Sequence, residues 1–407
     1  MNIYFARQPV FTREKEIYGY ELLFRDGMEN LFPGIDGSSA TSRVLTSAFF
    51  SSDIEKITGG KRAFVNFTRK LIDLEIPRLF PAELTIVEIL EDIHPDGPFL
   101  EGCRSMSLSG YRIAMDDFEY RSELEGLVRL ADIIKIDFLN TGTETIRSLV
   151  RDFSGSGKTL LAEKVETARQ FDLACELGFG LFQGYFFSRP EVMRKQEIPP
   201  LKMNLLEIMS EAGRGDFRIE ELERLITRDV GISYKLLRYL NSPFFRRRRE
   251  ITSIRHAILM LGEQGIRSFL AVIIMSDISL DKPDELLKSS VIRAKICEGL
   301  GTLAQKGPEP SMLFTLGLFS LIDAILDSPM EQMLDKLPLD REIKAALLNR
   351  DSLMGTYLRL AESYERGDWN GVAGLGTSLG IETGELPVIY FDALGWADAL
   401  MNSVRAA

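Results

Sequence analysis

One hydrophobic phrase recurs through the first half of the chain. A short apolar run ends on a polar or charged residue, and a helix-like stretch follows. The runs are Ile17-Tyr-Gly-Tyr-Glu21, Ala63-Phe-Val-Asn66, Leu84-Thr-Ile-Val-Glu88, Tyr111-Arg-Ile-Ala-Met-Asp116, Ile133-Ile-Lys-Ile-Asp137, Leu160-Leu-Ala-Glu163 and Leu181-Phe-Gln183, with Ile3-Tyr-Phe-Ala6 as a first strand. Nearly continuous apolar runs alternating with helices predict parallel strands covered on both faces. About eight of them predict a closed, TIM-like β/α barrel, whose functional residues gather at the carboxyl ends of the strands. Polar residues often follow strands because loops are wet. Loops alone account poorly for carboxylates ending five runs together with an Asn, a Lys and a Gln.

After Phe187-Ser-Arg-Pro190 the rhythm changes. Met193 to Met203 is charged and carries Pro199-Pro200, which marks a linker or domain edge. Beyond it the apolar spacing is helical: Ile219, Leu222, Leu225 and Ile226, then Leu236, Leu237 and Leu240, then Ile258, Leu259 and Leu261. Ser253 is placed to cap a helix start, and Gly262 to stop one. Leu386 to Phe391 is the one later stretch that reads as a strand. The division expected is a barrel over 1–195 and an all-α domain over 196–407.

A chain of 407 residues fits two cores better than one. Its net charge of −11 makes nucleic acid a poor partner, although a divalent metal can still bring a phosphate ester to an acidic site. Cys103, Cys175 and Cys297 form no CxxC pair, which suits a reducing cytoplasm. The start, MNIYFARQPV, lacks a signal-peptide layout, and apolar runs such as Phe269 to Met275 are too short to cross a bilayer. These features predict a soluble, cytoplasmic protein with no membrane partner.

The motifs fall in a telling order. Gln8-Pro9 is followed by Tyr20-Glu-Leu-Leu-Phe-Arg25, Phe64-Val-Asn66, Glu88-Ile-Leu-Glu91 and Asp116-Asp117-Phe118. Lys135-Ile-Asp137, Ala162-Glu-Lys-Val-Glu-Thr167 and Gln183-Gly184 complete the series. In this order they resemble the EAL family of metal-dependent phosphodiesterases, which open cyclic-di-GMP to linear pGpG. The resemblance implies that Glu21, Asn66, Glu88 and Asp116 hold one ion, Mg2+ or Mn2+, and that Asp116, Asp117 and Glu163 serve a second. It gives Lys135, Glu163 and Gln183 catalytic roles around the attacking water, and Arg25 and Gln8 the nucleotide. Glu91, Asp137 and Glu166 would support these groups from behind. Oxygen ligands suit Mg2+ and Mn2+, and two such ions can activate water and neutralise a phosphoryl group.

Strand alternation adds its own expectations. Arg25, four residues from Glu21, faces the same mouth, and Asp137, two from Lys135, is placed to fix the lysine. Leu22, where the signature has alanine, should pack between barrel and helices. Lys164, where the family has glycine, should point away from Glu163. Leu90 shares the face of Glu88 and replaces a hydroxyl with an isobutyl group. Asp116-Asp-Phe-Glu-Tyr-Arg-Ser-Glu123 stands where relatives carry a glycine-rich loop.

The second half resembles the HDOD family through Ile226-Thr-Arg-Asp229, Leu236-Leu-Arg-Tyr-Leu-Asn-Ser242, Ser253-Ile-Arg-His-Ala-Ile258, Leu261-Gly262 and Gly317-Leu-Phe-Ser-Leu-Ile-Asp323. That resemblance implies a domain without a His–Asp metal centre, and this half holds only His256. Arg246 to Arg249 read as a solvated loop more readily than as a phosphate patch. Two functions stand side by side. One is a cyclic-di-GMP phosphodiesterase whose helical domain regulates it or contacts an unidentified signalling protein. The other is a catalytically inactive EAL–HDOD receptor or scaffold. Homodimerisation is open in both.

Overall fold

The computed structural model describes residues 4–25, 54–90, 93–185, 219–228, 230–242, 245, 251, 253–278, 282–304, 307–326, 329–337 and 339–405. Arg246 to Arg249, Asp229 and Glu91 lie outside the described residues, as do the side chain of Arg25 and the Met193–Met203 stretch. The chain divides into two units, 1–187 with 364–369, and 188–363 with 370–407.

The first unit is a closed eight-stranded barrel in sequence order. Its strands are β1 (Tyr4–Thr12), β2 (Ile17–Arg25), β3 (Arg62–Phe67), β4 (Thr85–Ile89), β5 (Arg112–Met115), β6 (Ile133–Asp137), β7 (Thr159–Glu163) and β8 (Leu181–Gln183). The barrel is not wholly parallel. β1 runs antiparallel to both β2 and β8, and only β2 to β8 run parallel with their neighbours. The physical reason is the short connection between β1 and β2. Residues 13–16 can make a hairpin but not the long crossover that a parallel pair requires.

Helices α1 (Arg69–Asp73), α2 (Gly97–Leu108), α3 (Glu125–Leu130), α4 (Thr143–Phe153) and α5 (Ala168–Leu177) follow the strands. α4 buries Ile146, Leu149 and Phe153, a spacing that keeps one face on the barrel. α5 begins with a capping box between Thr167 and Gln170 and ends at Gly178, whose φ of 98° suits the left-handed stop.

The barrel interior has a simple rule. Val10, Phe64, Ile86, Ala114, Ile133, Leu161 and Leu181 pack into one buried cluster, with Tyr18 against it. Two residues from each of the seven, toward the same end, stands Gln8, Asn66, Glu88, Asp116, Lys135, Glu163 or Gln183. On β2, Gly19 pairs with Val10 and Glu21 with Gln8, so Glu21 joins the same layer. Period-two alternation thus stacks a polar ring directly on an apolar floor. Leu22 lies on the opposite face from Glu21 and is buried, as packing residues are.

The second unit is helical: α6 (Ile219–Arg228), α7 (Val230–Leu240), α8 (Ile254–Ile278), α9 (Asp284–Leu303), α10 (Pro310–Phe319), α11 (Ile322–Leu326), α12 (Met330–Lys336), α13 (Arg341–Leu348), α14 (Leu353–Glu365), α15 (Trp369–Leu379) and α16 (Leu386–Arg405). α9 is buried around its whole circumference, from Leu286 to Leu300, as expected of a core helix. Ser253 accepts the His256 amide at 3.1 Å, and Gly262 adopts φ 68° at a kink within α8. Leu386 to Phe391 is a correction: it opens helix α16 rather than a strand. Its run of apolar residues looks extended over six positions. Over twenty, the buried Leu386, Tyr390, Ala393, Leu394, Ala397, Leu400 and Met401 follow a helical period.

Candidate active site

Lys135 is the pivot of the polar ring. Its ammonium lies 2.6 Å from Asp116 Oδ1, 2.7 Å from Glu88 Oε1, 2.9 Å from Glu163 Oε1 and 3.5 Å from Glu21 Oε2. The lysine and Glu88 are both fully buried. Burial alone would push the lysine to give up its proton. The surrounding carboxylates outweigh that and hold its pKa well above the ordinary lysine value. Burial pushes Glu88 well above the usual carboxylate range, against the pull of Lys135. Burial likewise raises Glu163 to about 8, with Lys135 opposing and Asp116 and Glu21 adding to the rise.

Glu21 is held from three sides. Gln183 Nε2 donates to its Oε2 at 2.6 Å, Asn66 Nδ2 donates to its Oε1 at 3.4 Å, and Lys135 donates to Oε2. Gln183 also donates to Gln8 Oε1 at 3.0 Å, which ties β8 to β1. Gly184 lets the chain leave β8 beside this bond. Its φ is 141°, and a Cβ there would fall 2.2 Å from the Val165 carbonyl oxygen.

Both amides spend their N–H groups on neighbouring side chains and keep their oxygens free. Asn66 Oδ1 and Gln183 Oε1 are buried without a hydrogen-bond donor, and so are Glu88 Oε2, Glu163 Oε2 and Asp117 Oδ1. Buried oxygens lacking donors are costly unless a cation or water meets them. Four carboxylates around one ammonium also leave the ring short of positive charge. That donor set fits a hard divalent ion such as Mg2+ or Mn2+. Among the described residues, no three His, Cys, Asp or Glu side chains stand at ligand spacing as they are. The Lys135 ammonium fills the space between the carboxylates, so taking up an ion requires it to move aside.

Two expectations differ from the geometry. Asp137 does not hold Lys135. It accepts from Lys164 Nζ at 2.6 Å, from Asn140 Nδ2 at 2.7 Å and from the amides of Leu139 and Asn140. Lys164 does not turn away from the ring. Its φ of 54° breaks the alternation of β7, and its ammonium also approaches Asp117 Oδ1 at 3.5 Å. The signal was a residue in a glycine position: an L side chain there leaves the strand on a left-handed turn.

Glu166 lies past the end of β7, where its amide donates to Gln170. The mouth around the ring is lined by Leu23, Leu90, Leu139, Glu166 and Tyr185. Sequence reasoning did not find Leu23, Leu139 or Tyr185, because an apolar residue at a strand end carries no chemical signature. No helix among the described residues is long and apolar enough to cross a membrane.

Models of two known domains match the chain, the EAL domain over residues 62–190 and the HDOD domain over 198–350. The YuxH protein of Bacillus subtilis strain 168 is 35% identical over 99% of this chain and all of its own length. The cyclic di-GMP phosphodiesterase CdgJ of Vibrio cholerae serotype O1 is 35% identical over 97% of this chain and 92% of its own. The crystal structure of an EAL domain protein from Listeria monocytogenes EGD-e covers 46% of this chain and 88% of its own, at 21% identity and a TM-score of 0.37.

Proposed function

This chain belongs to the family of two-domain EAL–HDOD proteins, and we propose that its barrel is a divalent-metal-dependent phosphodiesterase that opens cyclic-di-GMP to linear pGpG. The observation that carries the reading is the buried ring itself: four carboxylates gathered around Lys135, with two donor-free amide oxygens in the same layer, at the carboxyl ends of the parallel strands. The relative in Vibrio cholerae, similar over nearly the whole chain, is named as a cyclic di-GMP phosphodiesterase.

In this reading Glu21, Asn66, Glu88 and Asp116 hold the ion. When bound, the metal supplies positive charge to the phosphoryl oxygens and acidifies a water. Lys135, held charged by its carboxylate neighbours in the resting ring, is assigned to stabilise negative charge rather than to act as the base. Glu163 is the proton acceptor in its ionised form, with one oxygen on Lys135 and the other buried without a donor. The water oxygen bonds to phosphorus as the P–O3′ bond breaks. The water proton passes to Glu163, and O3′ leaves with a proton from solvent. Gln183 fixes Glu21, Gln8 faces the nucleotide phosphates, and Leu90, Leu139 and Tyr185 offer an apolar wall for a base.

The helical unit has a different part. Its half of the sequence contains a single histidine, His256, exposed on the first turn of α8. A His–Asp phosphohydrolase centre needs more than that, so the unit regulates or relays by contacting a signalling protein. The test is product analysis with the purified full chain. Cyclic-di-GMP should become pGpG with Mn2+ or Mg2+ and remain intact with EDTA, and Glu88→Ala should abolish conversion. Tight nucleotide binding without any pGpG would replace the enzyme with a receptor.

A further inference from the structure

We propose that Lys164 is a tethered cation standing in for the second of two divalent ions, so that this barrel takes up a single ion. The inference rests on the metal reading given above and concerns how many ions the ring accepts. The resemblance assigns Asp117, with Asp116 and Glu163, to a second ion. In the structure the charge beside Asp117 comes from a side chain. Lys164 Nζ is 3.5 Å from Asp117 Oδ1 and 2.6 Å from Asp137 Oδ2.

The ammonium is held rather than merely nearby. Asp137 is fixed by Asn140 and by the amides of Leu139 and Asn140, so its oxygen gives Lys164 a rigid anchor. Asp117 itself adopts a left-handed φ of 39°, and its Oδ1 is buried with no hydrogen bond, only the longer ion pair to Lys164. Both side chains of the pair therefore sit on backbone that non-glycine residues adopt at a cost.

An ordinary surface ion pair is the simpler reading, and it explains little here. Lys164 is nearly half exposed, and exposed ion pairs contribute little to stability. The arrangement makes sense if the charge is placed for the ring: an ammonium at that spot neutralises Asp117 and repels a second divalent ion. The deep set of Glu21, Asn66, Glu88 and Asp116 lies on the other strands, beyond reach of Lys164's two ion pairs, and takes its one ion when Lys135 moves aside.

The test counts bound Mn2+ on the full chain by equilibrium dialysis, with the electron paramagnetic resonance spectrum reporting whether bound ions are paired. Lys164→Gly removes the ammonium and relaxes the backbone, while Lys164→Met removes only the charge. The wild type should bind one Mn2+ with an isolated-ion spectrum. Both variants should bind two, with the broadened spectrum of a coupled pair. Two ions in the wild type, or one in both variants, would overturn the proposal while leaving metal binding intact. No bound ion in any of the three proteins would overturn the metal reading itself, and this proposal with it.

Discussion

Lys135 carries two obligations at once, and they predict different losses. It offsets the carboxylates in the resting ring, and in the proposed reaction it stabilises charge that develops only at the transition state. Lys135→Met should therefore lower kcat by about 100-fold or more while leaving KM within a few-fold. In metal-free protein it should also lower the melting temperature, because removing one partner of a buried ion cluster typically costs about 3–5 kcal/mol. Steady-state kinetics and thermal melts on the same sample separate the two effects. A variant with wild-type kcat would remove the lysine from the chemistry. Glu163 makes a pH prediction of definite sign. Its ordinary value is 4.5, and in the fold burial raises it to about 8. The folded protein thus binds the proton more tightly than the unfolded chain. That contribution is fully present below pH 4.5 and is lost as pH rises through 8. In EDTA, the melting temperature of the wild type should fall between pH 6 and pH 8.5, and that of Glu163→Gln should fall less. Equal slopes would mean that Glu163 is not the group responsible.

At the scale of elements, most of the barrel was readable because its rule has a period of two. An apolar floor residue and a polar ring residue two positions on produce the same short phrase on β3 to β8, and that phrase is visible in the sequence. Where the backbone leaves the rule, the reading fails. Lys164 departs through a left-handed turn, and β1 departs by pairing antiparallel through a hairpin. Asp137 was placed on the correct face, yet its partner comes from the neighbouring β7 terminus, a contact that spacing along one strand cannot reveal. The helical unit was readable through periodicity, except where six residues of α16 were too short a window to separate helix from strand. In that unit, Gly317 of α10 packs directly on the backbone of α9. A Cβ there would stand 2.7 Å from the Ala294 Cα and the Arg293 carbonyl oxygen of α9. Gly317→Ala should push two core helices apart and destabilise the protein by about 1–3 kcal/mol. Urea unfolding followed by circular dichroism measures this, and an unchanged midpoint would show that the crossing can relax.

For the whole molecule, the proposed division of labour places the chemistry in the barrel and regulation in the helical unit. The barrel gathers oxygen ligands, a buried lysine and an open mouth, while the helical half contains one exposed histidine. The central claim is that the ring around Lys135 exchanges that ammonium for a metal ion when it engages a nucleotide. It is tested most directly by anomalous diffraction from crystals of the full chain soaked with Mn2+ and cyclic-di-GMP. A manganese peak should appear among the oxygens of Glu21, Asn66, Glu88 and Asp116, with Lys135 displaced from the centre and a nucleotide phosphate at the mouth. Nucleotide bound there with no manganese, and with Lys135 still between the carboxylates, would contradict it.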